Sequence, residues 1–207
     1  MRLLLRFFAD LEVHGLENLP THGPVIFAAN HESELDVILV PASLPFISLL
    51  APMFYVAKKR EFYRKTGLRS LFYGGFFFKL WGAYPVREGL RNYKFSLNMH
   101  LRMLHERKCV LIFPEGRVTP DGRIGKAHGG VAYLAWESRA PVVPVGIKST
   151  YQISFAKLLA RRQKITITFG SPKRYPDGET SKPPIAELRG FADGIMNDVR
   201  GIISHHA

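Results

Sequence analysis

Apolar residues along this chain fall into short blocks separated by turn signals, and the blocks alternate between strand and helix periodicities. Leu11 to Leu16 and the alternating stretch Ile165 to Phe169 read as strands. Val25 to Ala29, Cys109 to Phe113 and Val142 to Ile147 are uninterrupted apolar runs, the pattern of strands buried on both faces. Phe54 to Ala57 and Gly82 to Val86 are shorter candidates of the same kind. Helical spacing is predicted over Ser33 to Ser43, over Leu90 to His105 with Leu97, Leu101 and Leu104 on one buried face, and over Gly130 to Ser138. A basic helix over Tyr151 to Gln163 and a closing helix over Pro184 to Ser204 complete the series. Asn18 to Pro24 carries two prolines and a glycine and reads as a turn, while the Pro, Gly and Lys rich 171–183 reads as an exposed loop. Strands alternating with helices predict an α/β layer fold, and neither an internal repeat nor a domain boundary interrupts the chain.

Two apolar segments bear on the membrane. Val37 to Ala57 has no charged residue and is numerically long enough to span a bilayer, but Pro41, Pro45 and Pro52 divide it, so a helix, a loop and a buried strand are expected instead. Leu71 to Phe78 is also uncharged, yet Arg69 and Lys79 bracket it too closely for a span. It fits either a core helix or an aromatic segment dipping into an interface. Lys58, Lys59, Arg60, Arg64, Lys65 and Arg69, interleaved with Phe62, Tyr63 and Leu68, make the preceding stretch basic and aromatic. The apolar and basic residues Leu3 to Phe8 suit a membrane surface or the core equally, so residues 1–10 are a candidate membrane-surface segment. Arg6 and Asp10 interrupt the amino-terminal leucines before any cleavage site, which argues against a cleaved signal peptide.

Composition narrows the partners. Length 207 with 46% hydrophobic residues provides one sizeable core. Lys and Arg total 29 against 17 acidic residues, a formal net charge of +12, which calls for an anionic partner: nucleic acid, a phospholipid surface or a phosphorylated metabolite. A nucleic-acid recognition motif, zinc spacing and an aromatic sheet signature are all missing, so nucleic acid is not expected. The single cysteine, Cys109, rules out an internal disulfide framework and a cysteine-rich metal site.

The candidate chemistry sits in Asn30 to Asp36, NHESELD, directly after the run Val25 to Ala29. A histidine at the end of a buried strand with a carboxylate nearby can form the base and orienter of a dyad. Positions five apart lie roughly 140° from each other on an ideal helix, so His31 and Asp36 meet only if His31 is in the loop and Asp36 in the first helical turns. Asn30 or Ser33 would cap that helix, and Glu32, Glu34 and Asp36 are the acidic residues its amino end favours. A surface histidine beside a capped helix explains the same seven residues. A second candidate, PEGRVTPDG, follows the strand Cys109 to Phe113, and the carboxyl ends of such strands are where open α/β sheets place their sites.

NHESELD, GAYPVREG, FPEGR and VVPVGI, in this order, resemble the glycerolipid acyltransferase superfamily, which includes the 1-acyl-glycerol-3-phosphate acyltransferases. The resemblance covers roughly Val25 to Ile147 and extends more loosely through the strand ending at Gly170. It implies an α/β fold in one domain spanning 1–207, with a mixed, mostly parallel sheet flanked by helices, of the glycerol-3-phosphate acyltransferase-like type. The implied activity is transfer of a fatty acyl group from a thioester, acyl-CoA or acyl carrier protein, to the free hydroxyl of a lysophospholipid, in phospholipid biosynthesis or remodelling. The acceptor expected first is 1-acyl-glycerol-3-phosphate, with lysophosphatidylethanolamine or another lysolipid as the alternative. The resemblance makes His31 the general base and Asp36 its orienter. It gives Arg87 the acceptor phosphate and lets Glu115 and Gly116 shape the acceptor pocket. Lys126 resembles a lysine that adds to phosphate binding, and Val143 with Pro144 resembles a pocket wall. Many members continue FPEG with Thr, Arg and Ser, whereas Arg117, Val118 and Thr119 follow here, so Arg117 joins the binding candidates and the head group stays open. Ser33 is expected as a cap or donor rather than a nucleophile, and His128 is not expected in the chemistry. The implied location is the cytoplasmic face of an anionic membrane, peripheral or interfacial, without a bound cofactor or metal. A lipid-binding module that keeps the fold without catalysis is the non-enzymatic alternative.

Overall fold

The uninterrupted apolar runs become the middle of a sheet. A computed structural model describes residues 10–45, 48–57, 83–85, 93–153, 164–176 and 181–205. Strands β1 (Asp10–His14), β2 (Val25–Ala29), β3 (Met53–Ala57), β4 (Ala83–Pro85), β5 (Cys109–Ile112), β6 (Val142–Lys148) and β7 (Lys164–Phe169) form one sheet in the order β1-β7-β6-β2-β5-β3-β4. Among the described strands, only β6 and β7 pair antiparallel; the other pairings are parallel. The helices are α1 (Asp36–Ser43), α2 (Tyr93–Ser96), α3 (Asn98–His105), α4 (Gly130–Ser138) and α5 (Ile185–His205). The expected α/β class, a mixed and mostly parallel sheet flanked by helices, is the fold this chain adopts.

Every residue of β2 is fully buried, and its side chains alternate between two cores. Ile26 and Ala28 face a cluster with Leu97, Leu101 and Leu104, with Val131, Leu134 and Ala135 of α4, and with Leu188, Ala192, Ile195, Met196 and Val199 of α5. Val25, Phe27 and Ala29 face the other cluster, with Leu39 and Val40 of α1 and Ile165, Ile167 and Phe169 of β7. Burying each Leu, Ile, Val or Phe contributes about 1.5–3 kcal/mol, so the double-faced burial of the central strands dominates the stability of the sheet.

Several boundaries differ from the sequence reading. The first strand ends at His14 rather than Leu16, because Gly15 turns the chain with φ +73° into a short 3-10 turn, Leu16–Asn18. A Cβ at Gly15 would lie 2.0 Å from the Phe169 carbonyl oxygen, so the position requires glycine for space as well as for backbone conformation. The helix expected from Leu90 is described from Tyr93 and breaks at Leu97 into α2 and α3, although the leucine face is buried as expected. The described residues of the loop 171–183 are mostly exposed, but the loop is anchored: Lys173 exchanges two 2.7 Å backbone hydrogen bonds with Val142, and Tyr175 is buried with its hydroxyl on Glu187. Val37 to Ala57 divides into α1, a turn and β3, and among the described residues no helix is long and apolar enough to cross a membrane. Leu3 to Phe8, the basic aromatic stretch from Lys58 to Lys79, Arg87 and most of the helix expected after Tyr151 lie outside the described residues.

Candidate active site

Strands β2, β5 and β6 run parallel as neighbours, so their carboxyl ends open on the same edge of the sheet. That edge collects NHESELD after β2, FPEGR after β5 and Ser149 to Ile153 after β6. Three segments far apart in sequence thereby share one site.

His31 lies in the loop and Asp36 is the first residue of α1, the one arrangement the spacing allows. His31 Nδ1 is 3.0 Å from Asp36 Oδ2. The backbone amides of Glu32 and Ser33 donate to the same oxygen at 2.7 and 2.8 Å, and the Thr150 hydroxyl reaches Oδ1 at 2.9 Å. An oxygen that already accepts two amides acts as acceptor toward the ring, so Nδ1 carries the proton and Nε2 is the basic nitrogen. Asp36 is fully buried, whereas the His31 side chain keeps 15% exposure. The ring stacks on Phe113 with centroids 4.0 Å apart and planes at 16°, which fixes its plane while the aspartate fixes its rotation.

The acidic residues of NHESELD do different work from helix capping. Helix α1 starts at Asp36 rather than Ser33, and no side chain caps it. Instead, Asp36 folds back to hold the loop amides, and Ser33 Oγ accepts only from the Leu35 amide at 3.3 Å. Asn30 is not a cap either. Its amide pairs with both the N–H and the C=O of Ile147 at 2.8 Å, extending the β2–β6 ladder by a side chain. Glu32 Oε2 accepts from the Thr150 and Tyr151 amides at 2.9 and 3.1 Å. Burial pushes its carboxyl above the ordinary range, the bonds from Thr150 and Tyr151 oppose the rise, and the charge of Asp36 adds to it.

Glu115 is buried and has both oxygens engaged by backbone: Oε1 accepts from His31 N at 3.0 Å and Oε2 from Gly125 N at 2.7 Å. The FPEG turn is tied to the dyad loop once more where Thr119 N donates to His31 O at 2.8 Å. Gly116 has φ +68°, and a Cβ there would approach the His128 ring to 3.2 Å. Thus His128, which the sequence reading set aside, packs directly on the motif turn. Arg117, Lys126 and His128 are exposed cationic or ionisable groups on this edge. Val143 and Pro144 are buried inside β6, opposite Phe27 and Ala28. Phe113, Thr150 and the Asn30–Ile147 pair were missed by sequence reasoning; only the position of Phe113, next to a motif at a strand end, gave any signal.

The fold and this edge define an α/β protein carrying a histidine–aspartate dyad at the carboxyl ends of parallel strands. The chain belongs to the acyltransferase family, whose model matches residues 10–148. It is 29% identical over 148 residues to a chloroplastic 1-acyl-sn-glycerol-3-phosphate acyltransferase of Arabidopsis thaliana, a match covering 70% of this chain and 38% of that protein. It is 27% identical over 198 residues to the 1-acyl-sn-glycerol-3-phosphate acyltransferase of Pseudomonas aeruginosa, covering 93% of this chain and 70% of the relative. The chain therefore spans about two fifths of the length of its plant relatives and a larger share of the bacterial one. Among solved structures, the 1-acyl-sn-glycerophosphate acyltransferase PlsC from Thermotoga maritima superposes with a TM-score of 0.63 at 22% identity, covering 94% of this chain and 73% of that one. That likeness shows a shared fold.

Proposed function

We propose that this chain is an O-acyltransferase domain that moves a fatty acyl group from a thioester, acyl-CoA or acyl carrier protein, to the free hydroxyl of a lysophospholipid. The observation that carries the reading is the 3.0 Å contact between His31 Nδ1 and Asp36 Oδ2, which leaves Nε2 as a base at a sheet edge lined by cations. The family and the activities for which the relatives are named support 1-acyl-glycerol-3-phosphate as acceptor.

Nε2 of His31 takes the proton of the acceptor hydroxyl as its oxygen attacks the thioester carbonyl carbon. The carbon–sulfur bond breaks, the thiolate leaves, and the imidazolium returns the proton to sulfur. Asp36 stabilises the charged ring while the proton is in transit. No acyl-enzyme is needed, and Cys109 is buried in β5. Arg87, outside the described residues, is assigned the acceptor phosphate, as are Arg117 and Lys126; guanidinium groups suit bidentate phosphate contacts. Glu115 and Gly116 shape the turn that carries Arg117. The net charge of +12 suits the phosphates of either donor and a peripheral position on an anionic membrane surface.

The test is release of free thiol from an acyl thioester in the presence of a panel of lysophospholipids. Turnover with lysophosphatidate that His31→Ala abolishes is expected. Preference for lysophosphatidylethanolamine would reassign the head group, and equal turnover by His31→Ala would sink the dyad.

A further inference from the structure

The segment after β6 contributes to the dyad a group that neither the motifs nor the family match contains. Thr150 lies two residues beyond the matched stretch 10–148 and is fully buried. Its hydroxyl is 2.9 Å from Asp36 Oδ1 and 3.2 Å from Glu32 Oε2. One hydroxyl proton serves one strong bond at a time, and the shorter contact is to Asp36. Asp36 Oδ2 is occupied by His31 and two backbone amides, so Thr150 is the donor to the other oxygen.

The carboxylate torsion of aspartate is broad and roughly two-fold, so bonds on one oxygen locate that atom but leave the plane of the group free to turn. A donor on the opposite oxygen fixes the plane. Thr150 is itself held in place, because its own amide and that of Tyr151 both donate to Glu32 Oε2. The turn that presents them uses left-handed conformations at two non-glycine residues, Ser149 with φ 73° and Gln152 with φ 51°. Such conformations persist where surrounding contacts over-determine them. Tyr151 continues the connection, donating from its hydroxyl to Pro120 O at 2.9 Å beyond the FPEG turn.

We propose that Thr150 is a positioning residue of the dyad: its hydroxyl sets the plane of the Asp36 carboxylate, so that Oδ2 aims at His31 Nδ1 and holds the ring in the tautomer with Nε2 unprotonated. Glu32 is the latch that places Thr150. This assignment rests on the acyltransferase reading for its kinetic effect but not for its structural one.

Thr150→Val removes the donor while keeping the shape, and Thr150→Ser restores it. In the thiol-release assay Thr150→Val lowers kcat about tenfold with KM for donor and acceptor within about twofold, because alignment is lost rather than binding. Thr150→Ser recovers most of the rate. In an Asp36→Asn background Thr150→Val costs nothing further, since a residue acting through Asp36 is non-additive with it. The 15N shifts of the His31 ring report the tautomer without turnover: they match the parent in Thr150→Ser and move toward a tautomer mixture in Thr150→Val. Should no acceptor be acylated, those shifts still decide the positioning role while the proposed activity alone falls. If Thr150→Val does not fold, Thr150→Cys, close in volume and a weak donor, takes its place in the same comparisons. A Thr150→Val chain with parental kcat and ring shifts, or a Thr150→Ser chain as impaired as Thr150→Val, overturns the assignment.

Discussion

Glu115 Oε1 accepts the backbone N–H of His31 at 3.0 Å, while its other oxygen accepts that of Gly125 at 2.7 Å. The carboxylate therefore joins the dyad loop to the loop that carries Lys126, with one backbone bond on each oxygen. Glutamine at this position would offer one acceptor and turn an NH2 group against the second amide. Charged hydrogen bonds are worth about 1.5–3 kcal/mol each, so Glu115→Gln is expected to lower unfolding stability by about that amount. Its kcat falls as well, because the His31 backbone loses its anchor. A rise in acceptor KM alone, with stability and kcat unchanged, would show that Glu115 binds substrate directly.

His31 and Asp36 separate in the same way. The His31 ring keeps partial exposure, whereas Asp36 is fully buried and satisfies four donors. His31→Ala is expected to remove activity by a factor of about 10² to 10⁴ with a small change in Tm. Asp36→Ala leaves two part-buried amides, a ring N–H and the buried Thr150 hydroxyl without their acceptor, and an unmet buried group costs about 1–3 kcal/mol. It therefore loses both activity and Tm. Thermal unfolding of the two variants side by side, together with thiol release, checks the contrast.

The local parts of this arrangement could be read from the sequence, and the long-range parts could not. Val25 to Ala29, Cys109 to Phe113 and Val142 to Ile147 announced the central strands because parallel strands buried on both faces leave no polar residue to obscure them. His31 and Asp36 were visible because both ends of the dyad lie within one short motif. The start of α1 differs from the sequence reading because the same carboxylates that favour a helix amino end also hold loop amides, and the bond to Asp36 from Thr150, beyond β6, favours the second use. The Asn30–Ile147 and Thr150–Asp36 bonds span 117 and 114 residues. A side chain that completes a ladder or a carboxylate shell at that distance leaves no periodic trace. The break of the helix at Leu97 was hidden as well, since the leucine spacing is the same on either side of it.

Glu32 makes stability depend on pH in a stated direction. Burial raises its carboxyl pKa above 4.5, followed in effect by the opposing Thr150 bond and the reinforcing charge of Asp36. A group that holds its proton more tightly folded than unfolded contributes fully below its unfolded value and loses that contribution as pH rises through the folded value. Glu32→Gln stays neutral throughout. The stability of the variant relative to the parent is therefore expected to increase as pH rises from below about 4.5 toward neutrality, and then to level off. Urea unfolding of both chains at pH 4, 5.5 and 7 measures the gap; a gap constant across that range would show that Glu32 carries no such cost.

Cys109 bears on how the activity is measured. It is the only cysteine, is 2% exposed at the start of the central strand β5, and burial pushes its thiol up to about 11. A thiol both enclosed and protonated at neutral pH does not meet the requirement for reaction, an accessible thiolate. The native chain is therefore expected to stay inert to a disulfide reagent such as dithionitrobenzoate at pH 8 over the minutes of an assay, so that colour reports thiol released from the acyl donor. In denaturant one thiol per chain should react. Because the reactive form requires β5 to open, labelling in the absence of denaturant should follow unfolding, and Gly15→Ala, which sets a Cβ 2.0 Å from Phe169 O at φ +73°, should accelerate it by destabilising the sheet. Rapid labelling of the native parent would show that β5 is not the closed central strand its burial describes.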